Sequence, residues 1–252
     1  SRIEYAQTGV DMDESRERFD EATPLILDAL ETGVMRAFES KYFSQPEAKI
    51  RPRPKKSFKG RTMQVAMSGD SILEAASNGL KMMQFAYKPS EVHKQEVETY
   101  AKHFRSVHNE QPPIPFFVDF CVCDENADRA AENADKYVRA YLVSLLQHYE
   151  LLGEHFSNME GYAEYGEAAK LLAAAGQESM ADDYLASQTW GTPEQILEKI
   201  RARREFVGDY DILLCTRFAG TPEEVTHRTI RTFGEKVLPE LRQWHTAETI
   251  AA

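Results

Sequence analysis

The chain has 252 residues, of which 42% are hydrophobic and 28% are charged, a composition typical of a globular protein. Its formal net charge is −11 and no basic stripe is present, which disfavours binding to nucleic acid phosphates. No apolar run approaches the roughly 18 residues that span a bilayer, so we expect a protein that does not bind membranes. The segment starting at Ser1 shows no signal-peptide pattern.

The first predicted helix starts at Asp13, a good N-cap residue, and runs to about Leu30. Pro24 is expected to kink or divide this helix. Apolar side chains at helical spacing predict one buried stripe, formed by Phe19, Ala22, Ile26 and Ala29. Residues 35–60, which include Arg51-Pro52-Arg53-Pro54, are expected to be irregular and extended.

Next come four β-prone runs, at residues 62–67, 80–86, 114–122 and 212–218. A helical segment follows each run; the first ends at Gly79, the second at about His108, the third is capped by Asp124, and the last ends at about Trp244. Strands that alternate with helices predict an α/β fold with parallel strands and right-handed crossovers. Four strands do not close a barrel, so either residues outside this chain complete the sheet or the sheet is open.

Residues from about 153 to 190 form a long insertion after the third strand. Since α/β folds place their sites beyond the carboxyl ends of the strands, we predict that this insertion forms a mobile lid there.

Thr192-Pro193-Glu194-Gln195 predicts a capped helix start, and Thr221-Pro222-Glu223-Glu224 predicts a second one. The three cysteines, Cys121, Cys123 and Cys215, are expected to be buried and reduced, as in a cytoplasmic protein. The histidines show no metal-ligand spacing and are expected at the surface or partly packed, so no metal site is predicted.

Several segments, in the same order, resemble the bacterial luciferase-like flavin-dependent monooxygenases. These segments are Gly9–Phe19, Tyr42-Phe43, Arg51–Pro54, Gln64–Ser68 and Gly191–Gln195. The resemblance covers essentially the whole chain and implies a (β/α)8 TIM barrel. Residues 1–252 would then form one partial barrel domain that carries strands five to eight and lacks the N-terminal strands.

The turn Ser68-Gly69-Asp70-Ser71 opens the helix after the first strand, where backbone amides favour an anion. From the residues alone, Ser68 or Asp70 could equally be an ordinary N-cap, and the charge of Asp70 disfavours phosphate. The resemblance implies that Ser68, Ser71 and the backbone of Met67 hold the flavin phosphate.

Arg16 alone would be a surface partner of Glu17 or Asp13. The resemblance implies that its guanidinium grips the same phosphate in a bidentate manner.

Gln84 and Ala86 lie near the end of the second strand and are candidates for lining the isoalloxazine pocket. Tyr162, Tyr165 and Tyr184 either belong to the lid or pack as an amphipathic surface. No catalytic acid or base is assigned, because the family's catalytic side chains lie mostly on the absent strands.

The resemblance implies reduced FMN as cofactor, O2 and a small organic molecule as substrates, a flavin reductase as supplier of reduced flavin, and a homo-oligomer. Two alternatives stay open: an oxidoreductase that uses the deazaflavin F420 on the same scaffold, and a non-catalytic flavin-binding protein.

Overall fold

The structure is a computed structural model that describes residues 1–149 and 177–251. Contacts divide these residues into two compact units. The first contains Ser1–Met83 and Glu98–Pro113, and the second contains Gln84–Val97, Ile114–Gln147 and the described residues from 177 onward. No helix in the two described ranges has both the length and the apolar character needed to cross a membrane.

The helices are numbered in chain order: α1 (Arg2–Thr8), α2 (Ser15–Thr32), α3 (Gly69–Ser77), α4 (Ser90–His108), α5 (Ala127–His148), α6 (Gln177–Ser187), α7 (Pro193–Val207), α8 (Glu223–Thr232) and α9 (Leu238–Ala251). The strands are β1 (Val34–Met35), β2 (Phe38–Glu39), β3 (Ser44–Gln45), β4 (Ala48–Lys49), β5 (Met63–Val65), β6 (Lys81–Phe85), β7 (Phe116–Cys123), β8 (Thr189–Gly191) and β9 (Asp211–Cys215). A 3-10 turn, Met12–Glu14, precedes α2, and a π-helical segment, Phe233–Val237, joins α8 to α9.

In the first unit, β5 and β6 pair in parallel, with Met63 opposite Lys81 and Val65 opposite Met83. The helix between them, α3, ends before Gly79, whose φ of 68° is the left-handed conformation that glycine adopts without strain. The second half of α4 packs on this helix, since Tyr100 donates to the Leu80 carbonyl at 2.8 Å and His108 bonds the Ala76 carbonyl at 2.8 Å. The predicted strand–helix–strand unit is therefore confirmed.

The prediction for α2 is wrong about its cap and about its buried stripe. The helix begins at Ser15 after a 3-10 turn that contains Asp13, so Asp13 is not its cap. Pro24 lies inside α2 without dividing it, and the alternative of a kink stays a prediction. Thr23 and Ala29 are buried, but Phe19 is 40% and Ile26 48% exposed, because the buried face of α2 lies to one side of the predicted stripe.

The segment expected to be irregular contains two short antiparallel ladders. Strand β1 pairs with β4, and β2 pairs with β3 inside that pair. With two residues in each strand, these pairs are too short to produce an alternating pattern in the sequence.

In the second unit, β7 is the central strand. Strand β9 pairs in parallel with its first five residues, and β8 pairs in parallel with its last three. Strand β8 lies in the predicted insertion and was not expected as a strand. Ala86, which directly follows β6, donates its N–H to the Val118 carbonyl at 3.1 Å.

Helices cover both faces of β7. Phe120 and Val122 pack against α5, whereas Cys121 and Cys123 pack against α7 and the π-helical segment. The parallel α/β architecture is thus confirmed, and closure into a barrel stays a prediction, as does the single domain. Cys121 and Cys123 are buried as expected, but Cys215 is only partly so.

The predicted helix starts have different outcomes. The Thr192–Gln195 capping box is present. Thr221 forms no such box, because its hydroxyl donates to the Phe218 carbonyl instead, at 2.5 Å. Asp124 does not cap α5; Asn126 does, by accepting the N–H of Arg129 at 2.8 Å.

Candidate functional site

Ser68 and Ser71 form a reciprocal cap at the start of the nine-residue helix α3. The Ser71 N–H donates to Ser68 Oγ at 3.4 Å, and the Ser68 N–H donates to Ser71 Oγ at 3.0 Å. Both side chains are buried. The N-cap expected from the residues alone is therefore confirmed.

The hydroxyl protons of this cap are not equivalent. Ser71 Oγ donates to the Ser68 carbonyl at 2.9 Å, which uses the single O–H of Ser71. Ser68 Oγ accepts the Ser71 N–H and lies 3.0 Å from Ser71 Oγ, to which it donates its own proton. To reach a ligand this proton has to leave Ser71 Oγ, but the two N–H bonds of the cap stay in place. Of the two predicted serines, Ser68 is thus the better donor to an anion.

Arg16 lies on the first turn of α2 and reaches across to α3. Its Nη1 donates to Glu74 Oε2 at 2.6 Å, so the expected partners Glu17 and Asp13 are wrong. Glu74 lies three residues after Ser71, on the same face of α3. The fold therefore brings Arg16 within one helical turn of the serine cap.

Glu74 has the most strongly shifted pKa of the acidic side chains near the serine cap. Burial is the main cause that raises its pKa to about 7, the neighbouring Asp20 raises it further, and Arg16 opposes both. Gln64 Nε2 donates to Glu74 Oε2 at 3.0 Å. The remaining side-chain oxygens, Glu74 Oε1 and Gln64 Oε1, are buried and receive no hydrogen bond from the described residues.

These groups have the chemistry of a phosphate site. A guanidinium, a rotatable hydroxyl and the amino end of a helix are all donors that favour an anion, and Met67 directly precedes them. Asp70 is exposed in the first turn of α3, where an acidic side chain commonly stabilises the helix itself. The residues present therefore fit the phosphate of a flavin.

Gln84 makes a different set of contacts from the one expected. It is fully buried; its Oε1 accepts from His93 Nδ1 at 3.0 Å, and its Nε2 donates to Glu96 at 2.8 Å. The buried Ala86 carbonyl accepts from Ser187 and Gln188. These contacts do not test the predicted flavin pocket, so the roles of Gln84 and Ala86 stay predictions.

His93 is buried, contrary to the expectation for the histidines. Since Gln84 Oε1 only accepts, His93 Nδ1 carries the proton, and Nε2 is a buried acceptor without a hydrogen-bond partner among the described residues. Burial, assisted by the positive charges of Arg203 and Lys88, lowers the pKa of His93 to about 3. The imidazole is therefore neutral at physiological pH.

A buried ion pair lies between β7 and α7. Arg203 Nη1 donates to Asp119 Oδ1 at 2.9 Å, and the Thr189 hydroxyl donates to the other carboxylate oxygen. Arg203 Nη2 also donates to the Ser187 carbonyl at 3.1 Å. Every polar group of Asp119 thus has a partner, as a buried charge requires.

Lys199, one turn before Arg203, is also largely buried. Its Nζ donates to the Gln188 carbonyl at 3.1 Å and lies 4.2 Å from the centre of the Trp190 ring. Burial is the main cause that lowers its pKa to about 8, against the opposing charge of Asp119.

No cluster of possible metal ligands occurs in the parts of the chain that the structure describes.

The predicted lid residues Tyr162 and Tyr165 lie outside the described residues. Tyr184 is described, and it packs beside Phe120 with ring centres 6.5 Å apart, as its packing alternative predicted. Sequence reasoning missed Glu74 and His93. The position of Glu74, between the apolar residues of α3, is a signal that it is partly buried.

Comparison with known proteins gives a family match. A family model described as luciferase-like monooxygenase matches residues 1–210. The alkanal monooxygenase alpha chain of Photobacterium leiognathi is 25% identical over 244 residues, which cover 93% of this chain and 66% of that protein. The chain therefore spans just under two thirds of that relative's length.

Solved structures show the same fold at low identity. The monooxygenase RslO1 of Streptomyces bottropensis has a TM-score of 0.68 at 20% identity, over 95% of this chain and 65% of its own. A Baeyer-Villiger monooxygenase of Pseudomonas putida, in complex with FMN, has a TM-score of 0.57 at 16% identity, over 89% and 63%. The F420-dependent tetrahydromethanopterin reductase of Methanopyrus kandleri has a TM-score of 0.56 at 17% identity, over 88% and 62%.

Proposed function

The chain belongs to the luciferase-like monooxygenase family, and from this premise we propose that it is part of a monooxygenase that uses reduced FMN and O2 to oxygenate a small organic substrate. The family-model match carries the reaction class. The cofactor assignment rests on one observation, that Arg16 bonds Glu74, which lies one helical turn after the serine cap of α3.

In this proposal the residues of the first unit bind and orient the cofactor. Arg16 and the hydroxyl of Ser68 hold the phosphate, together with the backbone at Met67 and the amino end of α3. Ser71 fixes the cap that aims these groups, since its own proton is already used. Reduced FMN, when bound, supplies the electrons for oxygen activation, and the protein orients the substrate and excludes water.

The substrate, the flavin reductase that supplies reduced FMN, homo-oligomer formation and a cytoplasmic location belong to the same proposal. The first three are expected from the family resemblance, and the location is expected from the buried, reduced cysteines. The proposal also includes the fold: a (β/α)8 barrel in which this chain provides strands five to eight.

A binding experiment followed by an isotope experiment tests this function. The whole protein is titrated with FMN, riboflavin and F420, and flavin fluorescence gives each dissociation constant. We expect FMN to bind more tightly than riboflavin, because only FMN offers a phosphate to Arg16. Reduced FMN is then mixed with the protein and 18O2, and mass spectrometry of candidate aldehydes, ketones and alkanes reports incorporation of one labelled atom.

Other outcomes identify the alternatives. Preference for F420 over FMN would favour the deazaflavin-dependent oxidoreductase, whose fold this chain shares. Tight FMN binding without labelled product from any tested substrate would favour a non-catalytic flavin-binding protein. If neither cofactor binds, the proposed function is wrong.

A further inference from the structure

A contact between α2 and α3 lies one helical turn after the serine cap. On α2, Arg16 and Asp20 are four residues apart and share a face. On α3, Ser71 and Glu74 are three residues apart and share a face. The contact between Arg16 and Glu74 joins these faces, and Gln64 from β5 donates to the same Glu74 oxygen.

The second oxygen of Glu74 has no donor. Glu74 Oε1 is buried and receives no hydrogen bond from the described residues, although the other oxygen receives two. The neighbouring acid is Asp20, and two carboxylates at one place repel each other. A proton between them removes this repulsion and lets one carboxyl donate to the other. The unsatisfied oxygen is therefore where a proton belongs.

We propose that Glu74 carries a proton that it donates to Asp20, and that this proton determines whether Glu74 holds Arg16 or releases it to the phosphate of the cofactor. The proposal rests on the proposed function, because it assigns Arg16 to that phosphate. When Glu74 is ionised, its charge competes with the phosphate for the guanidinium. When Glu74 is protonated, the competition falls to that of a neutral carboxyl, and Arg16 can bind the phosphate with its full charge.

The direction of the pH effect follows from these charges. The carboxyl of Glu74 binds a proton in the neutral range because burial and Asp20 raise its pKa to about 7. FMN binding should then be coupled to proton uptake, and its affinity should fall as the pH rises from about 6.5 to 8.5. Because one proton is taken up, the dissociation constant of FMN should change by at most about tenfold per pH unit. The second ionisation of a phosphate monoester occurs near pH 6 and lies below this window.

The test compares the whole protein with Glu74→Gln and Asp20→Asn, using the dissociation constants of FMN and riboflavin between pH 6.5 and 8.5. The amide introduced by Glu74→Gln has no charge to gain or lose, so this variant should bind FMN with little dependence on pH and more tightly than the wild type at pH 8.5. Asp20→Asn removes the like charge, so the transition should move to lower pH. Riboflavin should show no such dependence in any variant.

Asp70→Asn is the matched control. This variant removes a negative charge from the first turn of α3 and leaves the ion pair of Arg16 and Glu74 unchanged. FMN affinity should therefore change by a similar factor at every pH. If Glu74→Gln does not fold, Asp20→Asn alone tests the inference. The measurement is then the pH at which FMN affinity changes, compared between Asp20→Asn and the wild type.

Two results overturn the inference, and they differ in what they say about the proposed function. If FMN is preferred over riboflavin but wild type, Glu74→Gln and Asp20→Asn share one pH profile, the proton on Glu74 is wrong and the phosphate site stands. If FMN and riboflavin bind equally at every pH, the phosphate site is wrong and the inference fails with it.

Discussion

Arg203 of α7 and Asp119 of β7 form a buried ion pair in which the Asp119 side chain is fully buried and that of Arg203 is 14% exposed. Taking both charges out of water is costly, and their attraction repays the cost only because Thr189 and the Ser187 carbonyl satisfy the remaining groups. Such a pair adds little to the free energy of unfolding, but each charge needs the other to compensate for its loss of hydration.

We therefore expect single substitutions to be more harmful than the double one. Asp119→Asn or Arg203→Met leaves one buried charge unpaired and should lower the free energy of unfolding by about 3–5 kcal/mol. The double variant Asp119→Asn, Arg203→Met removes both charges and should lose less than either single variant. Urea denaturation, monitored by circular dichroism, gives the three values. Additive losses would mean that the two side chains do not depend on each other.

His93 predicts a loss of stability at acidic pH. Its pKa is lowered to about 3 in the folded protein, mainly by burial, whereas an exposed imidazole has a pKa of about 6.5. Between these values only the unfolded chain binds the proton, so the folded state loses stability as the pH falls from about 6.5 towards 3. Glu96, 3.8 Å from Nδ1, does not offset this effect because Lys88 and Gln84 already bond its oxygens.

His93→Gln should reduce this pH dependence by up to about 1.4 kcal/mol per pH unit. The measurement is the free energy of unfolding in urea at intervals from pH 4 to 7. His227→Gln is the control, because the His227 side chain is 67% exposed and stays hydrated in both states. Equal slopes for His93→Gln and wild type would contradict a neutral buried imidazole.

Gly191 has both a conformational and a steric role at the start of α7. Its φ is +136°, and an added Cβ would lie 2.6 Å from Gln195 Oε1 and 2.9 Å from Gln195 Cβ. That Oε1 accepts the Thr192 N–H at 2.9 Å in the capping box. Gly191→Ala should therefore strain the backbone by about 1–3 kcal/mol and also displace the cap, at about 1 kcal/mol.

Gly9→Ala separates these two costs. Gly9 has a φ of 68°, and no atom lies within 4 Å of an added Cβ, so only the left-handed conformation is penalised, by about 1–2 kcal/mol. The fall in thermal midpoint should be larger for Gly191→Ala than for Gly9→Ala. A smaller fall for Gly191→Ala would show that Gln195 moves aside without cost.

Local signals in the sequence predicted local structure well. The Thr192–Gln195 box, the Ser68 cap and the glycine end of α3 each depend on residues within one or two turns, and each is present. Parallel strands followed from the alternation of apolar runs with helices. Strand β8 was missed because three residues carry no periodicity.

Contacts between distant segments were not predictable in the same way. Nothing near Arg16 in the sequence indicates Glu74 as its partner, because that contact depends on how α2 lies against α3. The buried state of His93 depends likewise on Gln84 and Phe117 from neighbouring strands. The family resemblance indicated Arg16 as a site residue, but its contact with Glu74 is visible only in the structure.

Arg16→Ala tests the phosphate site directly. The change removes a positive charge and up to two charge-assisted hydrogen bonds, each worth about 1.5–3 kcal/mol, so FMN should bind at least tenfold more weakly. Ser68→Ala removes one hydroxyl but leaves the helix amides, so its loss should be smaller, on the order of 1 kcal/mol. Riboflavin has no phosphate and should be nearly indifferent to both changes.

Arg18→Ala is the matched control for Arg16→Ala. It removes the same charge from the same helix, but the Arg18 guanidinium binds Glu14 at 2.9 Å and has no contact with Glu74. FMN affinity should therefore change little in Arg18→Ala at 0.15 M salt, where the field of an exposed charge is screened within about 8 Å. Equal losses for FMN and riboflavin in Arg16→Ala would indicate damage to the fold, since only FMN can report the phosphate contact. Unchanged FMN binding would leave Arg16 with a structural role only, as the ion partner that joins α2 to α3.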